Sequence, residues 1–214
     1  GLQYENVKDY KDPKEIFLNI HGVANVNAKK LVDLGFKTIE DLRKCPNIED
    51  HLNEKQLIGL KFYDDILQKI PRDEIMIHEQ FLKETLLAVD SSADLTIAGS
   101  YRRGKLESGD IDILLKAKTN KTYKNFIDVL TKKGYFYPKH LAVGAKKFFG
   151  LGRISNDSSY RRIDIMYTKP HEYPFAILYF TGSMEFNTEM RKKALDLGLS
   201  MNEYSLKDSN TKKV

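Results

Sequence analysis

An α+β fold is predicted, helical in its first part and built on a mixed sheet with covering helices in its second. Three observations carry this. Between Pro13 and Val89 apolar residues recur at helical spacing, punctuated by Pro, Gly, Asn and Thr at turn and cap positions. From about residue 94 the pattern changes to short apolar runs of strand length, such as LTIA at 95–98 and IDILLK at 111–116. Between Asp112 and Asp164 lies a helical stretch, 124–133, which lets the chain cross over and return to the same sheet.

Residues 1–12 are polar and aperiodic and read as a lead-in. Pro13 suits a first helical turn, so a short helix is expected over 14–19. Gly22 then makes a tight turn, Asn25 is the candidate cap of a helix running to Leu34, and Gly35 closes it. Thr38 and Asp41 (TIED) form a capping-box pattern for the next helix. Helix, glycine turn, helix is the shape of a helix-hairpin-helix, which offers backbone N–H groups to a nucleic-acid phosphate without reading a base. An ordinary αα-hairpin has the same pattern. Residues 54–70 and 73–89 are expected as two amphipathic helices split by Pro71, with Ile75, Phe81, Leu82, Leu86 and Val89 as the core stripe of the second.

A helix over 124–133 follows, with Phe126, Ile127 and Leu130 on its apolar face and Gly134 at its end. Strands are expected at 136–141, 147–151 and 163–167, with a polar loop at 155–159. The run 174–180 (PFAILYF) is a helix interrupted by Thr181-Gly182, and 186–197 is a helix carrying Arg191, Lys192 and Lys193. Residues 202–214 supply one short strand and a polar tail too thin to close a domain, so the chain is expected to continue past Val214. The predicted organisation is a lead-in (1–12), a helical domain (13–91), a mixed α/β domain (92–170) and a smaller C-terminal subdomain (171–214).

Composition limits the function classes. With 41% hydrophobic and 30% charged residues, the chain is an ordinary globular one, and its net charge of +5 modestly favours a polyanionic partner. No apolar run approaches the roughly 18 residues of a membrane span, and no signal peptide is read. The single cysteine, Cys45, excludes an internal disulfide, and no Cys/His cluster suggests zinc.

Chemistry concentrates in GSYRRGKLESGDIDILL, residues 99–115. Side chains alternate along a strand, so Asp110 and Asp112 share one face while Ile111 and Ile113 face a core. A third carboxylate, Asp164, sits between Ile163 and Ile165 in another strand-like run. A D-x-D pair alone is commonly a solvated strand face. Three aspartates from neighbouring strands can hold two divalent ions ~3.5–4 Å apart for in-line displacement at phosphorus. Gly99 and Ser100 open a short helix whose N–H groups could meet a phosphate, with Arg102 and Arg103 close by to neutralise it.

Taken in order, GSYRRGKLESGDIDILL, RRIDI, YFTGS and NEYS closely resemble the motifs of the family X DNA polymerases, and FLNIHGVANVNAKKLVDLGFKTIEDLRK resembles their fingers-side helix-hairpin-helix. The resemblance covers about 14–206 and implies a nucleotidyltransferase-type palm with a truncated thumb-like subdomain; it implies no lyase domain here. It assigns Asp110, Asp112 and Asp164 to two Mg²⁺ ions, with Mn²⁺ as a substitute. Ser100, Arg103, Gly109 and Arg72 would contact the triphosphate. Tyr179, Phe180 and Gly182 would recognise the sugar, and Asn187 the incoming base. Gly22, Val23 and Ala24 of the hairpin, with Lys147, Arg162, Arg191 and Tyr204, would contact DNA. The carbonyls of Leu18, Ile20 and Val23 would hold a monovalent cation, Na⁺ or K⁺. Three departures stand out: Ala24 replaces a hairpin glycine, Met166 an arginine linked to closure, and Met184 an aspartate beside the incoming base.

The implied activity is template-directed addition of dNMP from dNTP to a primer 3′-OH with release of pyrophosphate, filling short gaps in DNA repair. The implied protein is a monomer on gapped or primer-template DNA with no membrane partner, nuclear in a eukaryotic cell and cytoplasmic or virion-borne if viral. Two alternatives are kept: a template-independent nucleotidyltransferase, and a non-catalytic DNA-binding module. The short loop before RRIDI and the Tyr-Phe pair, where template-independent relatives carry Gly-Trp, weigh against the first. Retention of three aspartates weighs against the second, because buried like charges are costly without cations.

Overall fold

The computed structural model describes residues 11–214, so most of the lead-in assigned to 1–12 lies outside the described residues. Two compact units follow one another, one ending at Leu67 and the other running from Gln68 to Val214.

In the first unit, α1 (Pro13–Leu18) starts on its proline, with Asp12 accepting from the Lys14 N–H at 3.1 Å. A turn through Gly22 (φ +83°) leads to α2 (Asn25–Asp33). Its cap is Ala24 in extended backbone, so Asn25 is the first helical residue and does not cap; no side chain covers the first N–H groups. Gly35, at φ +94°, follows the helix as expected. The predicted capping box forms at α3 (Ile39–Lys44): Thr38 Oγ1 accepts from the Asp41 N–H at 3.1 Å, and the Asp41 carboxylate accepts from the Thr38 N–H at 3.1 Å.

The helix expected over 54–70 is broken. It divides into α4 (Glu54–Lys61) and α5 (Tyr63–Leu67), because Phe62 leaves helical geometry (φ −103°, ψ 22°). Pro71 then favours extended backbone at Ile70, giving β1 (Ile70–Pro71). Phe17, Ile20, Leu31, Leu42 and Leu60 form this unit's core.

Two contacts hold the Gly22 turn. Gln56, itself in a capping box with Asn53, donates from Nε2 to the Gly22 carbonyl at 2.9 Å. Gly59 lets α4 approach the turn, since a Cβ there would lie 2.8 Å from the His21 carbonyl oxygen. Gly59→Ala is therefore expected to cost about 1–3 kcal/mol through a forced backbone shift. Faster amide exchange across residues 20–24 measures it, and unchanged exchange would refute the close approach.

The second unit contains a five-stranded sheet in the order β2 (Asp94–Ile97), β4 (Ile111–Lys116), β7 (Arg161–Thr168), β6 (Lys147–Gly152), β5 (Ala142–Val143). Only β4 and β7 pair in parallel, with Asp112 opposite Asp164; the crossover between them carries α8 (Asn120–Lys132). That helix starts earlier than the expected 124, at the extended cap Thr119.

The strand expected at 136–141 is absent. Phe136 makes a lone bridge to Gly152, and Pro138 supplies no N–H in the middle of the run. A short β3 (Glu107–Ser108) pairs with β1. The helix α6 (Arg72–Val89) buries Ile75, Leu82 and Leu86 in the same core as the sheet residues Ile97, Ile113, Phe148 and Ile165. It therefore belongs with the sheet, and the helical unit ends near residue 67 rather than at 91. After β7 come α9 (Tyr173–Thr181) and α10 (Met184–Asp196). The hairpin of β8 (Leu199–Met201) and β9 (Leu206–Asp208) follows, one strand more than expected.

Candidate metal centre

Parallel pairing places Asp112 and Asp164 side by side on one face of the sheet, while Ile111, Ile113, Ile163 and Ile165 are buried on the other. Asp110, just before β4, completes the group, and one carboxylate oxygen from each of the three aspartates lies within 4.8 Å of the others. Burial, then the neighbouring carboxylates, pushes the Asp112 and Asp164 carboxyls above their ordinary range. The two are hydrogen-bonded to each other, and Asp164 Oδ1 is buried without a partner. One cationic side chain, Arg162, stands 3.8 Å from Asp110. A cluster of carboxylates with an orphaned oxygen and an excess of negative charge fits hard divalent cations that take oxygen ligands.

The centre has a shaped floor. Gly99 adopts φ +59°, and a Cβ there would collide with the Asp112 carboxylate. Only glycine satisfies both demands. Gly99→Ala is expected to displace that carboxylate and weaken divalent-ion binding at least tenfold, measured by calorimetric titration with Mn²⁺. Affinity like that of the unsubstituted protein would contradict the geometry.

Beside the aspartates opens a cavity of about 340 Å³. Its walls include Gly99, Ser100 and Arg103 from α7 (Gly99–Arg102) and its end, Asp110 and Asp112, and Tyr179, Phe180, Gly182 and Asn187 from α9 and beyond. Ser100 donates to Ser108 Oγ at 2.6 Å, and Arg103 donates to the Thr181 carbonyl at 2.7 Å. Tyr179 and Phe180 pack edge to face, their centroids 4.9 Å apart. Asn187 donates to the Tyr179 carbonyl at 2.8 Å, leaving its own amide oxygen buried and unpaired. An apolar cavity of about 250 Å³ adjoins Asp112 and Asp164, and Lys147, Met166 and Phe180 help to line it.

Other singled-out residues are not among the walls of the 340 Å³ cavity. Arg72 stacks on Tyr101 at 4.0 Å and donates to the carbonyls of Tyr101 (2.6 Å) and Lys105 (3.3 Å). Arg102 lies outside the lining of the large cavity and donates to Thr181 Oγ1 at 2.8 Å. Arg191 sits over the Tyr179 ring at 4.8 Å and 3.7 Å from Glu203; Tyr204 lies under Lys146 at 4.7 Å. Gly109 and Arg162 meet, Arg162 donating to the Gly109 carbonyl at 3.4 Å. Leu18, Ile20, Gly22, Val23 and Ala24 belong to the first unit, where the Ile20 carbonyl already accepts from Val23 at 3.0 Å.

One basic residue was missed. Lys69 Nζ lies 3.8 Å from where a Gly109 Cβ would stand. In sequence it is a lone lysine in QKIPR; only the pairing of Ile70 with Ser108 brings it there.

Known proteins share these regions. Residues 69–170 match the family model of the DNA polymerase beta palm, 15–67 the fingers domain of DNA polymerase lambda, and 176–214 the DNA polymerase beta thumb. The chain is 31% identical over 211 residues to DNA polymerase lambda of Rattus norvegicus, covering 94% of this chain and 36% of that protein. It is 29% identical over 204 residues to DNA polymerase lambda of Arabidopsis thaliana (89% and 38%). DNA nucleotidylexotransferase of Xenopus laevis is 26% identical over 231 residues (90% and 45%). The chain thus spans less than half the length of each of these relatives.

Proposed function

This chain belongs to the family X DNA polymerases, and from that premise we propose that it is a template-directed DNA polymerase adding dNMP to a primer 3′-OH. The observation that carries the reading is the convergence of Asp110, Asp112 and Asp164 beside a cavity large enough for a nucleotide. The three carboxylates would hold two Mg²⁺ or Mn²⁺ ions, which when bound neutralise charge at the attacking and leaving oxygens. Phosphoryl transfer asks the protein mainly for positioning and charge neutralisation. Ser100 and Arg103 from the cavity wall, with Lys69 beside Gly109, would bind the phosphates, Arg103 by exchanging the Thr181 carbonyl for a phosphate oxygen. Arg72 would brace the loop 101–105 behind them. Tyr179, Phe180 and Gly182 would wall the sugar and disfavour a 2′-hydroxyl, and Asn187 would offer its amide to the base.

DNA would be held through its phosphates. The uncapped N–H groups opening α2 after Gly22, Val23 and Ala24 suit that contact, with a Na⁺ or K⁺ ion on the carbonyls of Leu18, Ile20 and Val23. Lys147, Arg162, Arg191 and Tyr204 would follow template and primer. The logarithm of the affinity for duplex DNA is expected to fall linearly with the logarithm of salt concentration, a slope measured by fluorescence anisotropy; a flat response would remove the basic surface from the reading.

The likeness to a nucleotidylexotransferase favours testing a template-independent activity as well. The connection between β6 and β7 is the short segment 153–160, which supports dependence on a template. Extension of a one-nucleotide gapped duplex with Mg²⁺ tests the proposal. A gel shift without extension would leave only a binding module, and equal extension without the template strand would select the alternative. A short-gap repair role, action as a monomer and a nuclear location are part of the same proposal.

A further inference from the structure

We infer that Arg102 is a positioning residue, which sets the sugar-side wall of the nucleotide cavity through the Thr181 hydroxyl. The inference rests on the polymerase reading. Arg102 lies outside the lining of the large cavity, although its neighbour Arg103 is part of it. Its guanidinium donates to Thr181 Oγ1 at 2.8 Å, and that hydroxyl donates its own proton to the Ile177 carbonyl at 2.5 Å. The hydroxyl is thus held at its proton and at an oxygen lone pair, which fixes its rotamer. Arg103 binds the same residue through its carbonyl, at 2.7 Å.

Two adjacent arginines therefore grip the last residue of α9 at two atoms. The next residues are the cavity wall. Gly182 turns at φ +67°, and a Cβ there would stand 3.2 Å from Arg103 Nη1. Ser183 then caps α10 by accepting from the Phe186 N–H at 3.3 Å. A nucleotide phosphate that drew Arg103 away from the Thr181 carbonyl would leave Arg102 as the remaining arginine tether on this turn. Because the Arg102–Thr181 bond is exposed, it contributes little to global stability and its effect falls on the geometry of the wall.

The experiment compares Arg102→Gln, Thr181→Val, Thr181→Ser and the Gln/Val double variant. Expected are a five- to tenfold rise in the dNTP KM for Arg102→Gln and Thr181→Val with a smaller change in kcat, and a fall in dNTP over rNTP preference. The double variant should be no worse than either single one, because both remove the same bond. Thr181→Ser, which keeps the hydroxyl, should behave as the unsubstituted protein. Amide exchange over residues 178–183, read without substrate, should quicken about tenfold in Arg102→Gln while the Tm stays within about 2 °C. Additive penalties, a Thr181→Ser as impaired as Thr181→Val, or unchanged exchange would overturn the inference. If the unsubstituted protein extends no primer, the polymerase reading fails, and the exchange measurement still decides whether Arg102 holds the turn.

Discussion

Asp164→Asn is expected to lower nucleotide incorporation by about 10³-fold or more, the scale of losing a preorganised electrostatic partner, and at the same time to stabilise the protein in EDTA. The two effects share one cause. Asp164 and Asp112 are driven upward in pKa by burial and by each other, so folding resists their ionisation. For carboxyls raised in the folded state, the stabilising contribution is complete below the ordinary carboxylate range and is lost as pH rises through the elevated values. Without divalent ions the Tm should therefore decline as pH rises above that range, and saturating Mg²⁺ should flatten the decline. In Asp164→Asn the carboxyl raised to about 8 can no longer ionise, and a rise of about 2–4 °C at pH above that value in EDTA would correspond to about 1 kcal/mol. Differential scanning calorimetry with and without EDTA, paired with single-turnover incorporation, measures both. Wild-type-like incorporation by Asp164→Asn would remove the metal assignment.

The largest loss of stability is expected from the opposite face of the same strand. Arg161 makes a two-pronged pair with Glu74, both bonds 2.8 Å, and Glu74 also meets His78 Nε2 at 3.2 Å, while His78 Nδ1 lies 2.7 Å from the Tyr135 hydroxyl. Burial pushes the Glu74 carboxyl up, but the hydrogen bonds from His78 and Arg161 outweigh it and hold the group down to about 2. Side-chain exposure is 8% for Arg161 and 20% for Glu74, so removing one partner strands the other. Glu74→Ala should cost about 3–5 kcal/mol, a Tm loss on the order of 10 °C. A depressed carboxylate pKa stabilises above the unfolded value and is lost as pH falls, here from 4.5 to about 2. The difference in stability between the unsubstituted protein and Glu74→Ala should accordingly shrink across that acid window. A variant that melts within about 2 °C of the parent would show the network to be dispensable.

Most of this architecture is legible in the amino-acid sequence. The capping box at Thr38, the glycine-led turn at Gly22, the strand at 111–116 and the neighbouring strand around Asp164 all rest on local signals, and each is where the sequence places it. What escaped has a common cause. Asn25 looks like a cap in sequence, yet the turn leaves Ala24 extended and hands it that position. Helical periodicity runs on past Lys61, and nothing local reports that Ile70 is needed as a strand in another core. The stripe of α6 announces that it is buried without saying against what, so the sequence alone puts the boundary after it, whereas the contacts put it before. Lys69 carries no periodic or motif signal, and Arg102 looks like a twin of Arg103 until their separate acceptors are seen.

The side-by-side placement of Asp112 and Asp164 has a consequence for when the carboxylate cluster can form during synthesis. Their separation is inherited from backbone bonds linking two non-consecutive segments, so no local peptide can rehearse the centre. A nascent chain halted anywhere before the second of these segments would lack the carboxylate cluster, however well its earlier helices had formed.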